Sequence, residues 1–413
     1  MTASENDTGD LPEFGSPEHH ACPYPFYTTA RNEASAHRIA EANAFIVTRF
    51  DDVLAAARDP QSFSSRRPPY GEGDRELEAI MAAGYPTVGA LVTSDPPEHT
   101  RYRKLVSKMF TPSAVARHEP LIRETVTGLI DAFIDSGEFE LLTQFAMPLP
   151  TRVIGQIMGV PAEDRANFGR WADLIADSVS GIISRERALE CARGLVEMQH
   201  YFAGVIDAKR AEPGDDLISD LVSAREDDER PLDVPEILEL IRILIAGGTE
   251  STSSLLGSAL YLLLTHPDQF SEVRGNTLLI PQMLDEVVRL ESPVQWNPRV
   301  VQRDGVSLGE VQLPKGSRVL LSWAAANRDR SQFGDDADEF NIHRPKTSHA
   351  GFGHAYHFCL GAPLARLEAS IACEQLFGRL GDIELAIPAE EVSFVGHGVV
   401  RRVASLPLRF AKL

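Results

Sequence analysis

Cys359 stands in the window Phe352-Gly353-His354-Ala355-Tyr356-His357-Phe358-Cys359-Leu360-Gly361. A single thiol lies there in a glycine-bracketed loop, directly ahead of a helix start. Ala362-Pro363 follows, and Pro363 suits a first helical turn, where its missing N–H has no partner to lose. From Leu364 the apolar residues recur at Leu367 and Ile371, a helical stripe. The unpaired N–H groups and positive dipole end of a helix favour a thiolate over a thiol. This placement predicts an axial ligand to iron rather than half of a disulfide. Two other readings compete for the window. One is a buried structural cysteine, since free cysteines are often buried. The other is a zinc site built from His349, His354, His357 and Cys359. Zinc sites favour paired cysteines or a helical His-x-x-x-His, and the window has neither.

A second cluster lies in Ala246-Gly247-Gly248-Thr249-Glu250-Ser251-Thr252, inside a long apolar helix pattern. Two glycines in a helix interior cost about 1 kcal/mol each against alanine. One reading is a kink or a close helix crossing. The other is backbone brought close to a flat cofactor, with an acid and an alcohol aimed at it. Helical spacing keeps Ser251 and Thr252 from facing the same way. Two further patterns are weak alone. Glu286 and Arg289 form an i,i+3 pair, and His99 and Arg103 lie four apart on one helix face.

These residues sit in a chain of 413 residues with a net charge of −20. That charge argues against nucleic acid, which calls for a basic face. The sign is not uniform. Arg101, Arg103, Lys104, Lys108 and Arg117 fall in an acid-free stretch, as do Lys346 and Arg366 in another. A locally basic face on an acidic protein is a candidate docking surface for an acidic partner. The polar, acidic N-terminus has no basic or apolar leader pattern, and no apolar run reaches membrane-span length. Four scattered cysteines suggest no disulfide framework. The expectation is a soluble, cytoplasmic, monomeric protein.

The positioning elements follow from periodicity. Strands are predicted at 44–47, 298–302, 306–308, 318–322 and 383–387, and over 399–410. Helices are predicted at 51–57, 76–83, 97–110, 114–135, 149–158, 161–178, 185–212 and 283–291. The longest runs over 234–266, with Asp233 as cap, Pro235 in the first turn and Glu236 completing a capping-box spacing. The stretch from Ser62 to Ser94 is a long loop of the kind that is usually functional. Helices dominate, and short strands cluster rather than alternate with helices. No linker or repeat divides the chain, so a single domain over 1–413 is expected.

The window closely resembles the cytochrome P-450 pattern Phe-Gly-x-Gly-x-His/Arg-x-Cys-x-Gly. Phe352, Gly353, His357, Cys359 and Gly361 match it, and Ala355 stands where a second glycine is usual. The long-helix segment resembles the family's Ala/Gly-Gly-x-Asp/Glu-Thr, with Ser251 in place of threonine. The resemblance implies a mainly α fold with small β-sheets and a long central helix over haem b (iron protoporphyrin IX). It implies Cys359 as the iron ligand, with Phe352, Gly361 and Gly248 beside the haem. Donors to the propionates would be His99, Arg103, Arg299 and His357. Glu250 and Ser251 would relay protons, with Thr252 the second alcohol. Glu286, Arg289 and Arg344 would form a buried structural triad. Substrate contacts would come from Leu91, Val92, Leu244, Gly247, Val294, Trp296 and Val395. The activity implied is insertion of one oxygen atom of O2 into an apolar small molecule. No flavin, ferredoxin or dinucleotide-binding module is fused, so an acidic ferredoxin and its reductase would supply electrons. It would dock at Arg101, Lys104, Lys108 and Arg366. A peroxide-driven peroxygenase and a non-catalytic haem sensor or carrier are the alternatives. Glu250-Ser251 argues against the first, and the relay and docking face against the second.

Overall fold

The structure, a computed structural model, describes residues 13–40, 42–180, 183–225 and 229–413. Seven helices position the site. They are α1 (Arg75–Met81), α2 (Glu98–Ser107), α3 (Arg165–Ser180), α4 (Arg185–Ala211), α5 (Val234–Thr265), α6 (Ile280–Glu291) and α7 (Ala362–Arg379). Helix accounts for 56% of the structure, so the expected helix-dominated class holds.

Helix α5 begins where the sequence places it. Asp233 Oδ1 accepts from Glu236 N at 3.0 Å, and Glu236 Oε2 accepts from Asp233 N at 2.9 Å. The two residues thus satisfy each other's orphan donors. At about 1.5 Å per residue the helix is about 48 Å long and crosses the whole core. Leu240, Ile241, Ile245, Leu255, Leu256 and Leu260 are buried in one cluster with Met283, Leu284 and Val287 of α6 and Ile371 and Leu376 of α7. Each such side chain contributes roughly 1.5–3 kcal/mol when buried. The double glycine does not break α5, which stays helical from end to end.

A five-stranded sheet forms the second body. Its strands are β1 (His37–Ile39), β2 (Ala44–Val47), β3 (Phe63–Ser64), β4 (Trp296–Val301) and β5 (Arg318–Ser322), in the order β1-β2-β5-β4-β3. Arg299 on β4 pairs with Val319 on β5, and Ser64 on β3 pairs with Val300. This register sets Arg299 beside the end of β3, which matters for the site.

Some elements differ from the sequence expectation. The run read as one helix over 114–135 is two, Pro112–Ala116 and Glu119–Asp131. Pro120 explains the split, since proline lacks the N–H a continuing helix needs. The helix Tyr24–Glu33 went unread because tertiary contacts hold it rather than an apolar stripe. Arg328 lies 3.5 Å over the Tyr24 ring, and Tyr24 donates to Glu291 at 2.9 Å. Among the described residues no helix is long and apolar enough to cross a membrane.

Candidate active site

The cysteine loop is built by a few directed bonds. Cys359 N donates to Phe352 O at 2.8 Å, which closes the loop on itself. Helix α7 starts three residues beyond Cys359, and the backbone N–H groups of Gly361 and Ala362 point at the sulfur. Burial is the larger influence and pushes the thiol up from its ordinary value. Those N–H groups, Arg103 and Arg366 pull it down. With no metal cation present, desolvation outweighs the helix start at the half-buried Cys359, and a bound metal cation would favour the charged form.

Gly353 and Ala355 both take left-handed backbone, at φ +74° and +55°. Alanine carries a Cβ that this region penalises by about 1–2 kcal/mol. Ala355 thus keeps the conformation the usual glycine would adopt, at a cost in strain. Ala355→Gly is expected to stabilise the protein by about 0.5–1 kcal/mol, less than the strain because glycine also loosens the unfolded chain. The check is the urea midpoint of the haem-loaded protein. A midpoint that does not rise would contradict the strain assignment.

A cationic cluster faces the loop. Arg103 Nη1 donates to Phe358 O at 2.8 Å, one residue from the thiol. His99 and His357 stack edge-on with ring centroids 4.6 Å apart. Burial, seconded by Arg103, lowers His99 to about 4, and burial, seconded by Arg299, lowers His357 to about 2. Both imidazoles are therefore neutral near pH 7. Ser65 Oγ and His357 share a 2.7 Å hydrogen bond. Arg299 is buried, and its Nη1 donates to Pro298 O at 2.8 Å. Two buried nitrogens, His99 Nδ1 and Arg299 Nε, have no partner. Asp95 faces the cluster but is engaged by Ser64 Oγ and by Ser65 N, the latter at 2.8 Å. Orphaned buried donors and neighbouring cations with one committed acid call for an added anion. Haem propionates supply that chemistry, so the residues present fit haem.

Helix α5 is packed along most of its length but open around its double glycine. Gly247 is exposed although it lies mid-helix, and Ala246, Gly248, Glu250 and Ser251 are half-buried. Ser251 Oγ donates to Gly247 O at 2.8 Å. Thr252 is only 3% exposed, so it turns into the packing rather than toward this open side. Glu286, Arg289 and Arg344 come together under the loop. Arg289 grips both oxygens of Glu286 at 2.8 Å, and Arg344 Nε donates to Glu286 Oε1 at 3.0 Å. Arg289 Nη1 then donates to Asn327 O at 2.8 Å, and Asn327 Oδ1 accepts from Ala350 N at 2.7 Å, at the foot of the cysteine loop.

The remaining sequence expectations fare unevenly. Leu91 and Leu244 are buried in the main core, while Val92 and Val395 keep exposed faces, Val92 at 48%. Val294 is half-buried against the sheet cluster and bridges Val400. Trp296 is corrected. It packs with Phe14, ring centroids 6.2 Å apart, over Tyr27, Ile46 and Leu320. Strand alternation puts it on the face of β4 opposite Arg299. Arg101 is corrected as well. Its guanidinium pairs with Glu236 at 2.7 Å and Glu229 at 3.4 Å, and its side chain is 13% exposed. Arg366 pairs with Asp285 at 2.9 Å and lies 4.3 Å over the Phe352 ring. Neither offers a free charge for docking. Lys104 and Lys108 are exposed. Among the described residues no group of three or more His, Cys, Asp or Glu is placed to hold a metal, so the zinc alternative finds no ligand set.

The family model for Cytochrome P450 matches residues 198–380. The 6-deoxyerythronolide B hydroxylase of Saccharopolyspora erythraea is 34% identical over 407 residues, covering 97% of this chain and 98% of that protein. The chain belongs to the cytochrome P450 family. Its solved neighbours include the P450 CYP109Q5 of Chondromyces apiculatus, with a TM-score of 0.85, 36% identity, and coverage of 96% of this chain and 97% of that one. The vitamin D(3) 25-hydroxylase of Pseudonocardia autotrophica is 33% identical, covering 94% of this chain and 93% of that protein. The fold expectation holds. The protein is a P450 monooxygenase whose cofactor is haem b.

Proposed function

We propose that this P450 uses Cys359 as its iron ligand and oxidises an organic molecule held against the open side of α5. The observation that carries the reading is the pairing of the Cys359 loop with the partnerless donors of His99 and Arg299. Arg103, Arg299, His99 and His357 hold the propionates, and Gly247 and Gly248 leave room for a flat group. When bound, thiolate-ligated haem supplies oxygen activation and O–O cleavage. The chain's own part is to deliver protons. The Ser251 hydrogen is committed to Gly247 O, so its oxygen presents lone pairs to the open side. Ser251 therefore accepts a hydrogen bond there and holds a water or protonated partner, with Glu250 one residue earlier as the proton source. The bond to Gly247 gives serine the aim that β-branching gives threonine.

Ser251→Ala is expected to keep haem and substrate affinity while diverting reduced oxygen to hydrogen peroxide. Coupling should fall by roughly 10²-fold or more, the scale of a positioned proton-transfer group. Product formed and peroxide released per nicotinamide cofactor oxidised measure it. If Ser251→Ala couples as the parent does while Thr252→Ala does not, Thr252 is the working alcohol.

The electron donor is read as an acidic ferredoxin in the cytoplasm, docking on the exposed Lys104 and Lys108 side of α2. Opposite charges steer encounter and salt screens them. Lys104→Glu is expected to slow first-electron transfer severalfold at low salt and little at high salt. Stopped-flow reduction rates that ignore both salt and the substitution would rule out this face.

A further inference from the structure

Helix α5 is open at Gly247 and half-buried at Ser251, yet Ser254, one turn on, is fully buried. Residues seven apart share a helix face, so Gly247 and Ser254 belong to one stripe, with Ser251 between them. What covers Ser254 is a hairpin of β6 (Phe394–His397) and β7 (Val400–Val403). Ser254 Oγ donates to Arg401 O at 2.6 Å, the Phe394 ring lies 5.3 Å from that of Tyr261, and Val403 packs over Gly257. The hairpin is also tied to the segment between α6 and β4. Gln295 N donates to Val399 O at 2.8 Å, and Arg401 N donates to Pro293 O at 3.0 Å. The open side of α5 therefore ends at this hairpin, roughly 4.5 Å along the axis beyond Ser251.

The N-terminal helix (Pro17–Ala21) holds the hairpin from behind, through one buried side chain. Arg401 Nε donates to His20 O at 3.1 Å and its Nη2 donates to Ala21 O at 2.7 Å, which satisfies carbonyls at the end of that helix. Its Nη1 donates to the Tyr24 hydroxyl at 3.2 Å and pairs with Glu291, the last residue of α6. The guanidinium lies 3.9 Å over the Phe394 ring. Gly396 stands opposite Arg401 in the hairpin, and a Cβ placed there would fall on the His20 ring. The N-terminal helix is thus laid directly on the hairpin, at a point where glycine permits the close approach.

We infer that Arg401 is a positioning residue: with the N-terminal helix it sets where the space along α5 ends, and so how long a molecule that space admits. It acts through the hairpin and not on the reacting atoms. The planar fork of arginine reaches two carbonyls, Tyr24 and Glu291 at once, which the single ammonium of lysine does not. The inference rests on the reading above that the substrate lies against the open side of α5.

The test uses imidazole and 1-dodecylimidazole, which bind ferric haem through the same ring nitrogen and are read by the Soret shift of the haem-loaded protein. Imidazole reports the iron alone, and the dodecyl chain reports the space beyond it. The parent is expected to bind 1-dodecylimidazole tenfold or more tightly than imidazole. Arg401→Lys, which keeps a charge beside Glu291, should cut that ratio at least fivefold with imidazole affinity unchanged. Gly396→Ala should do the same, and adding His20→Ala to it should restore the ratio to within twofold of the parent. Haem content and urea midpoints are measured on the same samples. The inference is overturned if Arg401→Lys or Gly396→Ala keeps the parent ratio, or if His20→Ala fails to restore it. It is equally overturned if imidazole weakens in step with the longer probe, which would make Arg401 a support of the whole fold. A parent that prefers the dodecyl probe, with variants that keep the preference, would sink this inference and leave the proposed function standing. A parent with a thiolate-type spectrum that binds both probes alike would sink the placement of substrate along α5 first.

Discussion

Cys359→Ser is expected to abolish oxygenation while the chain still folds and takes up haem. A serine oxygen replaces the thiolate sulfur, and the loop that carries it is unchanged, since Cys359 N still donates to Phe352 O. In the proposed reading His99, Arg103, Arg299 and His357 would still hold the propionates. What is lost is the electron donation that favours O–O cleavage. Product formation should fall at least 10³-fold, on the order of the loss of a group acting directly in bond cleavage. The thermal midpoint should move by only a few degrees. Turnover within tenfold of the parent would show that Cys359 is a structural cysteine.

Glu286→Ala is expected to cost about 3–5 kcal/mol, because it leaves the buried Arg289 and Arg344 without their shared carboxylate. Both arginines and Glu286 are almost inaccessible to solvent. The effect should reach the site, since Arg289 holds Asn327 and Asn327 holds Ala350 at the foot of the cysteine loop. Haem should leave the variant faster than the parent. The control is Asp285→Ala, which breaks the half-exposed pair with Arg366 and should cost at most about 1 kcal/mol. Urea unfolding of both variants measures the difference. Similar small losses in the two would show that the triad does not carry the loop.

The parts of this molecule that follow local rules were legible in its sequence. The Asp233–Glu236 capping box, the four-residue spacing of His99 and Arg103 and the glycine-flanked Cys359 each state their geometry within one turn or loop. Contacts between distant elements were not legible. Arg101 and Arg366 lie in acid-free stretches of sequence, yet Glu236 and Asp285 reach them from other helices and Glu229 from the loop before α5. A charge count along the chain cannot see a carboxylate that arrives across space. The family resemblance placed Trp296 in the substrate pocket, but strand alternation turns it to the face of β4 opposite Arg299.

The proposed function requires one bond, from the Cys359 sulfur to haem iron. The carbon monoxide difference spectrum of the dithionite-reduced parent protein tests it directly. A thiolate-ligated carbonyl, with its strongly red-shifted Soret band, is the predicted result. A band of the histidine-ligated type, or no carbonyl band from haem-loaded protein, would contradict it.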